Sequence, residues 1–128
     1  NKSHQMRNLP TANNVRQEIQ DKKQREVFDK LVELVNANLT DQQFSVDHLC
    51  LELGMNRTKL YSFIKSTTGM SLGNYIRKIR LDKAAELLRT TDMSISEVGY
   101  AVGIESPSYF TRTFKEQFGS SPSEFIKH

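Results

Sequence analysis

The 128-residue sequence has one cysteine, no tryptophan, three prolines and no long hydrophobic run. A single cysteine, Cys50, cannot form a disulfide within the chain, which fits a reducing compartment. No apolar run approaches the ~18 residues that a membrane-spanning helix needs, and no secretory signal is visible. Hydrophobic residues make up only 37% of the chain, so part of it is expected to lie outside a core.

The residue types that build metal sites and active sites are also scarce. The three histidines are scattered along the chain, and with one cysteine they give no metal-ligand spacing. The glycines match neither a phosphate-binding loop nor a dinucleotide-binding motif. No nucleophile has an evident base and orienting group. The sequence therefore predicts no metal, no cofactor and no enzymatic activity.

The charge that is present is concentrated in the middle of the chain. Residues 57–89 contain eight basic and two acidic residues, a net charge of +6, whereas the whole chain carries +3. The remainder is therefore acidic, at −3. A basic middle segment suggests a polyanion as partner, and the alternative is an ordinary solvated helix surface.

Residues 71–89 are expected to form one long helix. Its apolar residues fall on two nearly opposite sides, one with Leu72, Ile76 and Ile79 and the other with Leu81, Ala84, Ala85 and Leu88. A surface helix needs only one apolar side. We therefore expect a helical unit to pack on each side, with the charged residues of the segment opposing full burial.

A pattern typical of a helix-turn-helix unit occurs on each side of this segment. Before it, Ser45 and Gly54 bound one short helix, and Arg57 begins a second that ends near Gly69. After it, Ser94 to Gly103 repeats the first helix at an offset of 49, and the helix from about Ser106 repeats the second at an offset of 50. The repeat predicts two similar helical units.

The expected fold class is all-α, with about seven helices, in which two homeodomain-like helix-turn-helix units are joined by a long linker helix. The expected boundaries are a polar linker or tail at 1–22, the first unit at 23–70, the linker helix at 71–89 and the second unit at 90–128. The tail is rich in Asn and Gln and lacks sustained periodicity.

The second helix of each unit is expected to expose a polar face opposite its apolar residues. The first polar face consists of Thr58, Tyr61, Ser62 and Lys65, and the second polar face of Ser108, Thr111, Arg112 and Lys115. Both mix hydroxyl groups with cations. Hydroxyl groups can bond base edges or phosphates, Arg can bind guanine through two hydrogen bonds, and Lys can neutralise phosphate. The matching positions favour DNA as the partner over two ordinary polar surfaces.

From about Phe28 to Phe125 the chain resembles the AraC/XylS family of bacterial transcription regulators. The resemblance lies in segments 76–88 (IRKIRLDKAAELL), 95–99 (ISEVG) and 102–115 (VGIESPSYFTRTFK), followed by Phe118-Gly119 and Ser121-Pro122. It implies a seven-helix domain in which two recognition helices enter successive segments of the major groove of double-stranded promoter DNA. It implies RNA polymerase as a further partner and a cytoplasmic location.

Matched position by position, the resemblance assigns DNA contacts to both recognition helices: Arg57, Thr58, Tyr61, Ser62 and Lys65 in the first, and Ser106, Pro107, Ser108, Thr111 and Arg112 in the second. Lys115 joins this set from the second polar face. The chain departs from the family pattern at Thr58 and Ser62, which are small, and at Pro107, which lacks an N–H and offers only apolar contact.

More narrowly, the chain is similar to the C-terminal output domain of hybrid two-component regulators of Bacteroides-type gut bacteria. This similarity implies that residues 1–22 are the linker to a preceding receiver domain. It also implies control of glycan-utilisation genes and a cytoplasmic domain, in some cases of a membrane-bound sensor-regulator. The competing interpretation of the sequence is a helical adaptor whose basic linker helix binds an acidic protein.

Overall fold

The computed structural model describes residues 11–41 and 43–126, and within these ranges every regular element is an α-helix. The helices are α1 Ala12–Glu18, α2 Lys22–Ala37, α3 Val46–Leu53, α4 Arg57–Thr68, α5 Leu72–Thr90, α6 Ile95–Ala101, α7 Pro107–Phe118 and α8 Pro122–Ile126. The all-α class is therefore confirmed. The described residues form two compact units, residues 11–79 and residues 80–126, so that α5 contributes its first eight residues to one unit and the rest to the other.

The first helix of each helix-turn-helix unit begins after the serine that the sequence predicts. The side chains of Ser45 and Ser94 accept hydrogen bonds from backbone N–H groups in the first turns of α3 and α6. Gly54, which follows α3, has φ +66°, a left-handed conformation that glycine adopts without strain. Gly103 has φ +83° at the equivalent place after α6. The repeat in the sequence is thus a repeat of turn geometry.

The first unit has a core built from α1 to α5. Leu31, Leu49, Leu60 and Ile64 are almost completely buried there. Phe28 of α2 is also buried in this core, with only 1% of its surface exposed. Its ring lies 5.9 Å from that of Tyr75 on α5.

The second unit is organised around an aromatic cluster. Phe110 and Phe114 of α7 point inward, with 2% and 0% of their surface exposed. The ring of Phe114 also lies 4.6 Å from that of Phe118 and 5.3 Å from that of Phe125 on α8. Large aromatic side chains contribute most to a small core, so this cluster fixes α7 in its unit.

The structure corrects the expected polar tail over part of its length. Residues 12–18 form α1, whose N-cap Thr11 accepts a hydrogen bond from the Asn14 N–H. Val15 and Ile19 are buried in the core of the first unit. Residues 1–10 of the predicted tail lie outside the described residues. The boundaries at residues 22, 70 and 89 stay predictions.

The two-sided character of the linker helix is only partly as expected. Leu72, Ile79, Leu81 and Leu88 are buried, but Ile76 is half-buried. Charge was expected to oppose burial along the helix, yet Lys78 is only 4% exposed. Each half of α5 is therefore core to the unit that contains it.

Candidate nucleic-acid interface

Helix α4 presents the first polar face to solvent. Asn56 caps its start by accepting a hydrogen bond from the Lys59 N–H, and Gly69 ends it at φ +76°. Leu60 and Ile64 are completely buried, and this fixes the rotation of the helix. Every member of the first polar face is exposed, and so is Arg57: Arg57, Thr58, Tyr61, Ser62 and Lys65.

Arg57 is held by two neighbours that the sequence did not reveal. Its Nε and Nη2 atoms lie 3.0 and 2.9 Å from Oδ1 of Asp47 on α3, and its Nη1 donates to the Tyr61 hydroxyl at 3.1 Å. The hydrogen bonds to Tyr61 and Asp47 raise the pKa of Arg57 above its already high ordinary value. The guanidinium is thus oriented across the two helices of the first unit. Because the pair is exposed, a phosphate can compete for it.

Helix α7 presents the second polar face in the same way. The Ser106 side chain accepts from the Tyr109 N–H at 3.3 Å, and Pro107 occupies the first helical position, where its missing N–H costs nothing. The predicted contact residues of α7 are all exposed: Ser106, Pro107, Ser108, Thr111, Arg112 and Lys115. Both predicted sets therefore lie on solvent-facing helix surfaces.

Tyr109 joins the second polar face, although the sequence reasoning did not select it. The guanidinium carbon of Arg112 lies 5.3 Å from the centre of the Tyr109 ring, a cation–π contact. Tyr109 is 37% exposed, so the ring supports Arg112 from the solvent side of the helix. The spacing of three residues along a helix is the signal that could have indicated this pair.

The basic linker helix carries less accessible charge than its sequence suggests. Arg80 is partly buried, and its Nη1 donates to the Val102 carbonyl at 2.7 Å. Burial lowers the pKa of the Arg80 guanidinium. Lys83 forms a 3.2 Å ion pair with Glu86 on the same helix, and Lys78 is buried. Some of the basic side chains that make up the +6 charge of residues 57–89 are therefore buried or paired within the units.

The structure also bears on metal and membrane sites. Within residues 11–41 and 43–126, no group of three or more His, Cys, Asp and Glu residues could hold a metal ion. Cys50 is half-buried and packs against the core of the first unit. None of the helices described in these ranges is both long and apolar enough to cross a membrane.

These features define a double helix-turn-helix domain, and comparison with known proteins agrees. The family described as "Helix-turn-helix domain" matches residues 49–128. The chain is 34% identical over 85 residues to the probable transcription factor PqrA of Proteus vulgaris, covering 66% of this chain and 70% of that protein. It is 37% identical over 100 residues to histidine kinase P4 of Formosa agariphila, covering 78% of this chain.

Solved structures show the same similarity. An AraC-type transcriptional regulator from Chromobacterium violaceum has a TM-score of 0.75 and 27% identity, with 84% of this chain and 95% of that chain covered. The DNA-binding domain of AdpA, solved with a target DNA, has a TM-score of 0.67 and 28% identity, with 84% and 92% covered. The C-terminal domain of AraT, a response regulator from Geobacillus stearothermophilus, has a TM-score of 0.67 and 27% identity. The match covers 79% of this chain and 84% of that chain.

The chain belongs to the AraC-type family of helix-turn-helix DNA-binding domains. It spans 7% of the length of the histidine kinase, and about a third or less of several other curated relatives.

Proposed function

We propose that this domain binds double-stranded DNA in a sequence-specific manner through α4 and α7, and thereby regulates transcription. The observation that carries the proposal is the pair of exposed polar faces at equivalent repeat positions, each rotated outward by a buried apolar side of its own helix. Helices of this kind fit the major groove, where hydroxyl groups, Lys and Arg can contact phosphates and base edges. We expect it to act in the cytoplasm on promoter DNA, with RNA polymerase as its partner there.

A binding titration at several salt concentrations tests the DNA-binding part of this proposal. If four to six phosphates are neutralised, log K should fall against log[salt] with a slope of about −0.9 per phosphate. Fluorescence anisotropy with a random duplex and with a site enriched from a random library measures both the slope and the preference. A flat salt response would contradict DNA binding and favour the acidic-partner adaptor.

Arg112 is the residue that best separates base recognition from general charge. On the second polar face it is the one guanidinium, and it is oriented by Tyr109. If it binds guanine through two hydrogen bonds, Arg112→Ala should cost ~1–3 kcal/mol on the preferred site and relax selection at one base pair. The control is Arg112→Lys, which keeps the charge but loses the planar fork. Equal binding by the Lys variant and the parent would show a phosphate contact instead.

We propose further that the domain is the output domain of a two-component signalling protein that controls glycan-utilisation genes. Two similarities support the two-component part: the sequence similarity to histidine kinase P4 and the structural similarity to the C-terminal domain of the response regulator AraT. The glycan part rests on the resemblance to hybrid regulators, which also implies an attached receiver domain. Mapping the genomic sites bound by the full-length protein, with and without glycan growth substrates, tests both. Bound sites unrelated to glycan genes would contradict the second part.

A further inference from the structure

A cleft of about 500 Å³ lies between α2 and α4 within the first unit. Val27, Met55 and Phe63 supply its apolar lining. The polar lining consists of Lys23, Gln24, Thr58, Lys59, Ser62 and Ser66. The cleft is therefore amphipathic, and it brings the start of α2 beside the proposed recognition helix.

The cleft adjoins the proposed DNA-binding face. Thr58 and Ser62 line the cleft and also belong to the first polar face. A duplex that contacts these two residues would extend over the cleft, because the phosphates border the groove that a recognition helix enters. The groups on the α2 side of the cleft would then lie beside the backbone of the same duplex.

The charge of the cleft suits an anion. Lys23 and Lys59 are exposed, and none of the described lining residues is acidic. Among the residues that the structure describes, neither ammonium group has an ion-pair partner. Two lysines without a compensating carboxylate favour binding of a phosphate group.

The second unit shows why an added cation matters in the first. The repeat position of Ser62 is occupied in α7 by Arg112, which supplies a guanidinium from the recognition helix itself. The first recognition helix has only a hydroxyl group at that position. Lys23 provides a positive charge from a different helix, across the cleft that Ser62 lines.

We infer that Lys23, together with Lys59, binds a backbone phosphate of the DNA that α4 contacts, so that α2 is part of the interface. This inference rests on the proposed DNA binding and adds a contact outside both recognition helices. A phosphate contact of this kind would fix the position of α4 along the groove without itself selecting a base.

A matched pair of variants tests the inference in the intact chain. Lys23→Ala removes a lining residue, whereas Lys22→Ala removes the same charge one position earlier on α2, from a residue outside the cleft lining. Loss of one phosphate contact should reduce the salt slope by about 0.9 for Lys23→Ala, equivalent to roughly fivefold weaker binding at 0.15 M salt. Lys22→Ala should leave the slope nearly unchanged, and circular dichroism should show both variants folded.

The outcomes separate this inference from the proposed function. If the two variants behave alike while Arg112→Ala still weakens specific binding, the phosphate site is refuted and DNA binding stands. If the parent shows no salt-dependent DNA binding, both are refuted. Replacing single phosphates of the duplex by neutral methylphosphonates gives a second readout. One replacement should weaken binding by the parent more than binding by Lys23→Ala, which keeps only the Lys59 contact, and the absence of any such position would also refute the site.

Discussion

Truncation of Leu81 tests whether the second half of α5 is core to its unit. Leu81 is 1% exposed, and Leu81→Ala deletes three carbon atoms from its side chain. At about 0.8 kcal/mol per buried methylene the lost transfer free energy is ~2.4 kcal/mol. A residual cavity adds to this, so we expect the free energy of unfolding to fall by ~2–5 kcal/mol.

Leu87→Ala is the matched control, because it makes the same change at a position six residues further along α5, where the side chain is half-buried. We expect it to cost ~1 kcal/mol, as roughly half of the transfer free energy is lost and no closed cavity forms. Urea unfolding followed by circular dichroism measures both, with an unchanged slope showing that only stability has changed. Equal losses for the two variants would refute the assignment of Leu81 to the core.

Two further predictions concern α6. A Cβ added at Gly99 would lie 3.1 Å from the Ile104 carbonyl oxygen. Gly99→Ala should therefore lower the free energy of unfolding by ~1–3 kcal/mol, in spite of the better helix propensity of Ala. Unchanged stability would contradict this close packing. The Ser94 N–H donates to the Glu97 carboxylate and lowers the pKa of Glu97 below its ordinary 4.5. The stability that ionised Glu97 contributes is therefore present above pH 4.5, and it is lost as the pH falls through the lowered pKa of the folded state. Glu97→Gln should flatten this acid dependence of the unfolding midpoint, and an unchanged acid dependence would contradict the role of Glu97.

Local signals predicted most of the fold. Ser45, Gly54 and Ser94 sit at helix ends because their preferences are local: hydroxyl groups cap free N–H groups, and glycine accepts positive φ. The internal repeat then related the two units without any long-range information. Observed helix bounds differ from the expected ones by about one residue, which is the usual uncertainty at helix ends.

The missed features depend on contacts between distant segments. Helix α1 has seven residues, too short for a periodic pattern, and it is stabilised by burying Val15 in the core. Phe28 meets Tyr75 across 47 positions of sequence, and neither spacing nor propensity indicates that pair. Burial of Lys78 was missed because a charged residue on an exposed-looking helix is ordinarily solvated.

In the candidate site, too, local features were predicted from the sequence and contacts between helices were not. The outward faces of α4 and α7 followed from helical periodicity alone, since the buried positions fix the exposed ones. The bond from Arg57 to Asp47 and the cleft containing Lys23 arise where two helices meet, and so required the structure.

The central claim is that both recognition helices contact one DNA site. A hydroxyl-radical footprint of the parent on its enriched site tests it most directly, alongside variants that change one polar face each, Lys65→Ala and Arg112→Ala. The account predicts two protected segments, with each variant losing protection mainly in a different segment. A single protected segment, or loss of protection in the same segment in both variants, would contradict it.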